Sequence, residues 1–393
     1  MAGDLASSIQ HQANSSIGYY NILWGTTSWR FASALGLEYN DNVRLQENGE
    51  GDFIIRPALN AQFHWPVTVN NSLDATVGVG YSDYLQHPEL SQFFLTPGSG
   101  LSFDIFVGDF KINLHDRASI SEYAYQNAGV SGGNRDLVSL ENTAGINTLW
   151  DMDKALANVG FDHNNYVSLS QNRGEPDASS ENLYANAALR VRSELLLGVE
   201  AGGSVITYNQ TTTTASTPIT DAVQWNAGVF TSLQVSDYIS VRADVGLMEF
   251  SPNSSSTNLV TSDTSGLYFR VSLSHRVNRF LNYTLSAGRT TDLAAYGQAQ
   301  SYYFVRLDPS WTLFRKFSFS TPLWWQQGDS VYNNSANGIG SYEQIGAGLT
   351  VSRSLTQKLS ASVSYQFVKE TSSRLSNQNY TENIVDLNFT YQF

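Results

Sequence analysis

Six histidines are the first residues to weigh as catalytic groups or ligands: His11, His64, His87, His115, His163 and His275. No two stand at the i, i+4 spacing of a zinc-binding helix. The chain has no cysteine, which removes thiolate chemistry, Cys-ligated metals and disulfides together. His115 shares an alternating face with Lys111 and Arg117, a setting that suits a polar wall better than a general base. Asp41, Glu47, Asn48, Glu50 and Asp52 offer oxygen ligands for a hard cation such as Ca²⁺ but lack the regular spacing of an EF-hand loop. A solvated acidic loop is the simpler reading. No glycine-rich phosphate loop follows a strand and opens a helix. A nucleophile and a base could still meet across strands, yet the expectation is a protein that is not an enzyme and holds no cofactor or metal.

The elements that would position such groups are visible in the composition. Charged residues make up only 15% of the 393 residues while aromatics reach 12%, with 21 Tyr and 20 Phe. A soluble domain normally covers its surface with more charge than this. The net charge of −13 argues against a nucleic-acid partner, which needs a basic face. No apolar run approaches the roughly 18 residues of a membrane-spanning helix. Mean hydropathy is slightly negative, but a barrel shows lipid only every second residue of each strand, so it escapes a hydropathy scan. The opening Met1-Ala-Gly-Asp has neither a charged nor an apolar leader segment. A secretion signal is expected to have been removed and Met1 supplied afterwards.

Alternation carries the fold. At the end of the chain Val385, Leu387, Phe389, Tyr391 and Phe393 interleave with Asp386, Asn388, Thr390 and Gln392, so the two sets lie on opposite faces of a strand. The same pattern recurs in Leu359–Phe367, Ile345–Val351, Leu281–Ala287, Leu267–Leu273, Ile239–Leu247, Leu183–Val191 and Leu73–Tyr81. Strands of about 9–11 residues repeated along a whole chain match a membrane crossing. In lipid a sheet cannot leave edges open, so it must close. Eight short connections, among them Val67–Ser72, Gly108–Asp109 and Leu355–Lys358, alternate with nine long polar ones, among them Asn40–Gly51, Asp83–Gly98, Glu122–Arg135, Asp292–Gln300 and Gln327–Gly340. The expected fold is therefore an all-β transmembrane antiparallel β-barrel of about 18 strands, with 16–20 permitted by its weaker segments. Residues 1–27 are expected as an N-terminal periplasmic or plug segment and 28–393 as the barrel. Within the former, Ser16–Trp24 would plug the lumen or lie along the membrane interface. Short turns should face the periplasm and long loops the outside.

Three prolines (Pro57, Pro309 and Pro322) fall in or near strands and are read as bulges or strand ends. Asp116 falls on the lipid-facing parity. Trp29, Trp65, Trp150, Trp225, Trp311 and Trp325 cluster near strand ends, where membrane interfaces favour amphipathic rings.

Inward parity selects the candidate pore-lining residues. The cations are Arg30, Arg56, Lys111, Arg117, Arg190, Arg192, Arg242, Arg270 and Arg306. The anions are Glu38, Asp74, Asp104, Glu141, Asp162, Glu200, Asp244, Asp308 and Asp386. The signs balance, so the wall is near neutral and most of the excess negative charge sits in loops. Opposed charges would set a transverse field in a channel whose acidic vestibule mildly favours cations; equally, Arg242/Asp244 and Arg306/Asp308 would with their neighbours form cross-strand ladders that stiffen the wall. Tyr184, Phe230, Tyr268 and Phe304 share the inward parity. They could stack on sugar rings, but packing against an inward-folded loop or the N-terminal segment is preferred.

The segment Leu35–Val43, with Tyr39-Asn40-Asp41-Asn42-Val43, resembles the opening strand of the β-barrel porins found beside exopolysaccharide-export systems. The ending Leu387-Asn388-Phe389-Thr390-Tyr391-Gln392-Phe393 resembles the terminal signature of outer-membrane proteins in general. The resemblance implies a bacterial outer-membrane location among lipid and lipopolysaccharide, and recognition of the strand ending at Phe393 by the barrel-assembly machinery. It carries no catalytic residues. The leading expectation is a channel for passive diffusion of small hydrophilic solutes. The alternatives are a conduit or accessory barrel for exopolysaccharide secretion, and a structural or adhesive barrel whose loops bind partners.

Overall fold

The computed structural model describes residues 20–122, 138–169, 177–209, 221–252, 264–294, 298–313, 316–330, 340–372 and 379–393. They form one antiparallel sheet of 20 strand segments. The first half comprises β1 (Ile22–Trp24), β2 (Thr27–Asn40), β3 (Asp52–Pro66), β4 (Ser72–Tyr84), β5 (Gln92–Val107), β6 (Phe110–Glu122), β7 (Val138–Asp151), β8 (Ala155–Ser168), β9 (Asp177–Arg192) and β10 (Leu195–Asn209). It continues through β11 (Ala222–Ser236), β12 (Ile239–Pro252), β13 (Thr264–Arg276), β14 (Leu281–Ala294), β15 (Gln298–Leu313), β16 (Phe317–Ser320), β17 (Leu323–Ser330), β18 (Gly340–Ser354), β19 (Leu359–Ser372) and β20 (Tyr380–Gln392). Each strand pairs with its sequence neighbours, except that β16 and β17 do not pair with each other, and β20 returns to pair with β2 over Ala32–Asn40. The sheet therefore closes into a barrel.

Eighteen strands cross the wall, as the alternation predicts, because two of the segments are halves of one crossing and the three-residue β1 does not cross. Both β16 and β17 lie between β15 and β18 in a common register. The break between them contains Pro322 and faces Pro309 of β15, so two donors are missing at one point of the ladder. Thr321 and Gly348 recover part of the loss, donating to the carbonyls of Pro309 and Pro322 at 3.2 and 2.8 Å. Pro57 interrupts the β3–β4 pairing between Ile55↔Asp83 and Ala58↔Gly80 without a register shift, so it is a gap and not a bulge. The connection expected over Asp292–Gln300 is mostly strand, since β14 and β15 pair as far as Ala294↔Gln298. That expected over Asp83–Gly98 shrinks likewise, because β5 starts at Gln92. Most of the Glu122–Arg135 and Gln327–Gly340 connections lies outside the described residues.

The short segment β1 is a hairpin partner of β2, with Ile22↔Trp29 and Trp24↔Thr27. It occupies the β2 edge just below the end of β20, where Phe393 N donates to the Phe31 carbonyl at 3.2 Å. The described part of Ser16–Trp24 thus extends the sheet, with Ile22, Leu23 and Trp24 exposed. Residues 16–19 lie outside the described residues.

Burial is inverted relative to a soluble protein. Leu59, Leu183 and Leu189 are 60–61% exposed, whereas Glu38, Glu200 and Asp244 are 5–8% exposed. Large apolar side chains that stay exposed on every strand require an apolar solvent. Aromatic pairs mark both rims of that surface. Trp29–Phe63 at 4.5 Å, Phe110–Trp150 at 5.2 Å and Trp311–Phe319 at 5.7 Å lie toward the short turns. Tyr39–Phe53 at 4.8 Å and Tyr81–Phe93 at 5.0 Å lie toward the long loops.

Buried apolar clusters sit at the long-loop end. Val43 packs with Ile54, Tyr84 and Leu90, and Leu45 packs with Val368, Tyr380 and Trp324. Ile54, Val368, Tyr380 and Trp324 share their face with the charged set, so the 41–51 loop folds into the mouth of the barrel. Leu45 holds a left-handed φ of 47° there, a cost offset by nearly complete burial at 1% exposure.

Candidate channel wall

One contact identifies the concave face of the sheet. Tyr268 on β13 donates to Glu200 on β10 at 2.8 Å, across two intervening strands. Three strand spacings of about 4.8 Å place those backbones some 14 Å apart along the sheet, a span two side chains bridge only where curvature brings them together. Gly228 and Gly246 lie beneath the ring; a Cβ at either would come within 2.2 and 2.6 Å of the tyrosine.

Strand register carries this inner face around the barrel. Arg30, Glu38, Arg56, Asp74, Asp104, Lys111, Arg117, Glu141, Asp162, Arg190, Glu200, Arg242, Asp244, Arg270, Arg306, Asp308 and Asp386 all fall on it. Arg192 is the exception: a bulge sets it opposite Leu195, which breaks the alternation just before it.

Most of these charges are paired within the wall. Arg56 bonds Glu38, with Asp386 opposite Glu38 on β20 and Ser82 accepting from the same guanidinium at 3.2 Å. Lys111 meets Asp104 at 3.2 Å, and Asn113 donates to that carboxylate at 2.7 Å. His64 pairs with Asp74 at 2.6 Å and His115 with Asp162 at 3.1 Å. Arg242 grips Asp244 at 2.7 Å, lies 3.9 Å from Glu200 and stacks 4.7 Å above the Phe230 ring. Arg306 pairs with Asp308 at 2.7 Å, and Arg190 with Asp151 at 2.8 Å near a short turn. Arg56–Glu38, Lys111–Asp104, His64–Asp74 and His115–Asp162 thus join different strands, whereas Arg242–Asp244 and Arg306–Asp308 are pairs two residues apart along one strand. Among the described residues, Arg30, Arg117, Arg192 and Arg270 have no carboxylate within ion-pair distance.

Among the described residues the inner aromatics pack against the wall itself. Each lies over a glycine of the neighbouring strand: Tyr184 over Gly160, Phe230 over Gly198, Tyr268 over Gly228 and Gly246, and Phe304 over Gly288. Phe94 over Gly80 and Trp324 over Gly346 repeat the device at positions missed by parity alone. A ring filling the space above a cross-strand glycine stiffens a strongly curved sheet and covers backbone that the glycine leaves bare. The signal for it was an inward aromatic opposite an inward glycine, which needs inter-strand register to read.

The acidic loop is not a cation cage. Asp41 accepts from the backbone and amide of Asn383 at 2.7 Å each. Asp52, fully buried, accepts from the backbone of Gln86 and His87 at 2.9 Å, while Glu50 meets the His87 ring at 3.1 Å. These carboxylates fasten the inward loop to the wall and to the 85–91 connection. Among the described residues no three acidic or histidine side chains cluster as metal ligands.

No protein-family model matches the chain, and no curated protein does. Solved structures do. Pseudomonas aeruginosa OpdQ aligns with a TM-score of 0.52 at 10% identity, covering 93% of this chain and 99% of its own. OccK2 (OpdF) of the same organism, solved in complex with glucuronate, aligns with a TM-score of 0.51 at 11% identity, covering 93% and 98%. OpdK, solved with vanillate, gives 0.51 at 9% identity, covering 93% and 99%. At such low identity the likeness is one of fold: this chain is built as the same kind of closed antiparallel barrel as those outer-membrane porins.

Proposed function

We propose that the protein is a channel of the bacterial outer membrane through which small hydrophilic solutes diffuse passively. The observation that carries this reading is the closed crossing of 18 strands with an inside-out distribution of polarity. Barrels of about 16–18 strands are too wide for side chains to fill and leave an aqueous passage. The charges of the inner face, with Tyr184, Phe230, Tyr268 and Phe304, border that passage, and the 41–51 loop narrows it. Two structures of like fold were solved with glucuronate and vanillate, both carboxylate-bearing. Arg30, Arg117 and Arg270, which lack a carboxylate partner among the described residues, offer this channel the same complementarity, so small organic anions are its proposed solutes.

Discrete, stable conductance steps in planar bilayers, together with uptake of glucuronate into proteoliposomes, are the expected results. Silent bilayers would overturn the reading and favour a closed structural or adhesive barrel.

The exopolysaccharide-conduit reading draws on the Tyr39–Val43 likeness, and those residues have a structural task. Asn40 donates to Glu382 at 2.8 Å, Asp41 binds Asn383, and Asn42 donates to the Gln46 and Thr381 carbonyls at 2.7 and 2.9 Å. They pin the inward loop at the β2–β20 seam, which leaves polymer export without support of its own. The terminal strand that completes this seam, ending at Phe393, is the segment we assign to the barrel-assembly machinery.

A further inference from the structure

Charge is sorted around the short-turn rim. The turns that precede β13 are mixed in sign: Asp109, Asp151, Asp153, Glu194 and Asp237 stand there with Lys154, Arg190 and Arg192. The three that follow, joining β13 to β14, β15 to β16 and β18 to β19, hold no acidic residue. In or beside them stand Arg276 and Arg279, Lys316, and Arg353 and Lys358, all exposed. Because β16 pairs with β18 at this rim, the three turns are consecutive. Five strand spacings of about 4.8 Å make them one arc about 24 Å wide. In a chain of net charge −13 this arc is a local reversal of sign.

Aromatic rings fix its height. Trp311 and Phe319 stack at 5.7 Å on the lipid-facing side, the level at which a membrane interface holds such rings. Phe317 and Arg353, paired across β16 and β18, share that face one row nearer the turn. At about 3.3 Å per residue and a tilt of about 40° they lie about 5 Å beyond the ring level, among the headgroups. The Arg353 guanidinium lies 4.9 Å from the Phe317 ring centre, that of Arg279 4.4 Å from Phe280 and that of Arg276 5.3 Å from Tyr238. Stacking holds a guanidinium by its face and leaves its N–H edge for an oxyanion. Arg276 uses one donor on the Asp237 carbonyl at 3.1 Å. Among the described residues none of the five cations has a carboxylate within ion-pair distance, and the Arg279 and Arg353 side chains donate no hydrogen bond.

We propose that this arc binds the headgroups of anionic phospholipids, of the phosphatidylglycerol class, in the leaflet beside the short turns. Charge complementarity selects the phosphate, which Arg engages with paired donors. Two features favour a lipid over a soluble polyanion. Arg353 meets the headgroup level from the lipid-facing side, and Tyr238 and Phe280, at 57% and 37% exposed, set apolar surface for acyl chains next to the charge. Each basic side chain near an anionic surface is worth about five-fold in lipid preference.

The test is native mass spectrometry of the full-length protein, released from micelles holding equal amounts of phosphatidylglycerol and phosphatidylcholine with the same acyl chains. The unmodified protein is expected to retain phosphatidylglycerol preferentially. Arg279→Gln/Arg353→Gln/Lys358→Gln is expected to lose about five-fold of that preference for each cation removed. Lys154→Gln/Arg192→Gln, in the mixed part of the rim, should leave it unchanged, and Arg279→Lys/Arg353→Lys, which keeps the charge, should keep most of it. Heat-modifiable mobility on gels checks that each variant is folded. Silent bilayers would strike the channel reading and leave this site standing. No preference in the unmodified protein, a preference that survives the triple variant, or equal loss from both parts of the rim would overturn the proposal. Displacement of phosphatidylglycerol by a soluble muropeptide would also overturn it and assign the arc to the cell-wall polymer.

Discussion

His87 and Asp52 are joined twice: the His87 backbone N–H donates to the buried carboxylate at 2.9 Å, and its ring Nδ1 lies 3.0 Å from the same oxygen. Glu50 holds the other ring nitrogen at 3.1 Å, and Arg44 spans from Glu50 to Glu89. This knot ties the inward 41–51 loop to the connection between β4 and β5.

Its strength should depend on pH. Partial burial opposes charge on His87, but the bonds to Asp52 and Glu50 outweigh it and raise the pKa above the ordinary value, with Arg44 working weakly against them. A raised pKa means that folding favours the charged form. Its contribution is complete below the unfolded value of about 6.5 and is lost as pH rises through the higher folded value. Protection of the Val43–Leu45 amides relative to their intrinsic exchange rate is therefore expected to fall between mildly acidic and mildly alkaline pH. In His87→Ala it should be low throughout; an unchanged pH profile in that variant would show that the loop is held by other means.

Arg56→Ala should be among the costliest single changes. Glu38 is 8% exposed and faces Asp386 across the β2–β20 seam. Removing its guanidinium partner strands a buried carboxylate, worth about 3–5 kcal/mol. The double change Arg56→Gln/Glu38→Gln removes both charges and should recover most of the loss. Urea unfolding from detergent micelles measures both; equal destabilisation would show that charge is not the cause.

Tyr268→Phe keeps the ring over Gly228 and Gly246 and deletes only the donor to Glu200, for a loss of about 1–3 kcal/mol. Gly246→Val meets backbone, since even a Cβ would lie 2.3 Å from the Ala227 carbonyl oxygen. It should prevent the compact, heat-modifiable form on gels, whereas Tyr268→Phe should retain it. A Gly246→Val barrel that folds normally would contradict the role given to these glycines.

Arg117→Glu and Arg270→Glu replace inner-face cations that have no carboxylate partner among the described residues. Reversal potentials in a salt gradient should move toward cation preference in both, and glucuronate uptake should fall about ten-fold if each guanidinium supplies one charge-assisted contact. Asp308→Asn, which frees Arg306, should move the potential the other way.

The parts of this molecule legible in sequence are those set by a period of two. Parity alone separated Arg242 and Asp244 from Val241, Ala243 and Val245, and the rhythm of short and long connections set the strand count. Relations that need inter-strand register were not legible: Phe230 and Gly198 stand 32 positions apart and meet only because Gly198 pairs with Phe230 in the ladder. The inward loop was half visible. Val43 and Leu45 are apolar residues in an otherwise acidic stretch, which hints at burial without saying where. Likewise Pro309 and Pro322 each signalled a flaw, but only the inter-strand register, which sets Thr321 and Pro322 against Pro309 and Asp308, explains why one crossing is split in two.

The most direct test of the central claim is a cysteine scan along β19 with a membrane-impermeant thiol reagent, in a chain that has no native cysteine. Positions Ser360, Ser362, Ser364 and Gln366 face the interior, and Ala361, Val363, Tyr365 and Phe367 face lipid. Labelling is predicted to alternate, fast at the first set and protected at the second. Uniform labelling along the strand, or protection of both sets, would contradict a closed sheet with water on one side and hydrocarbon on the other.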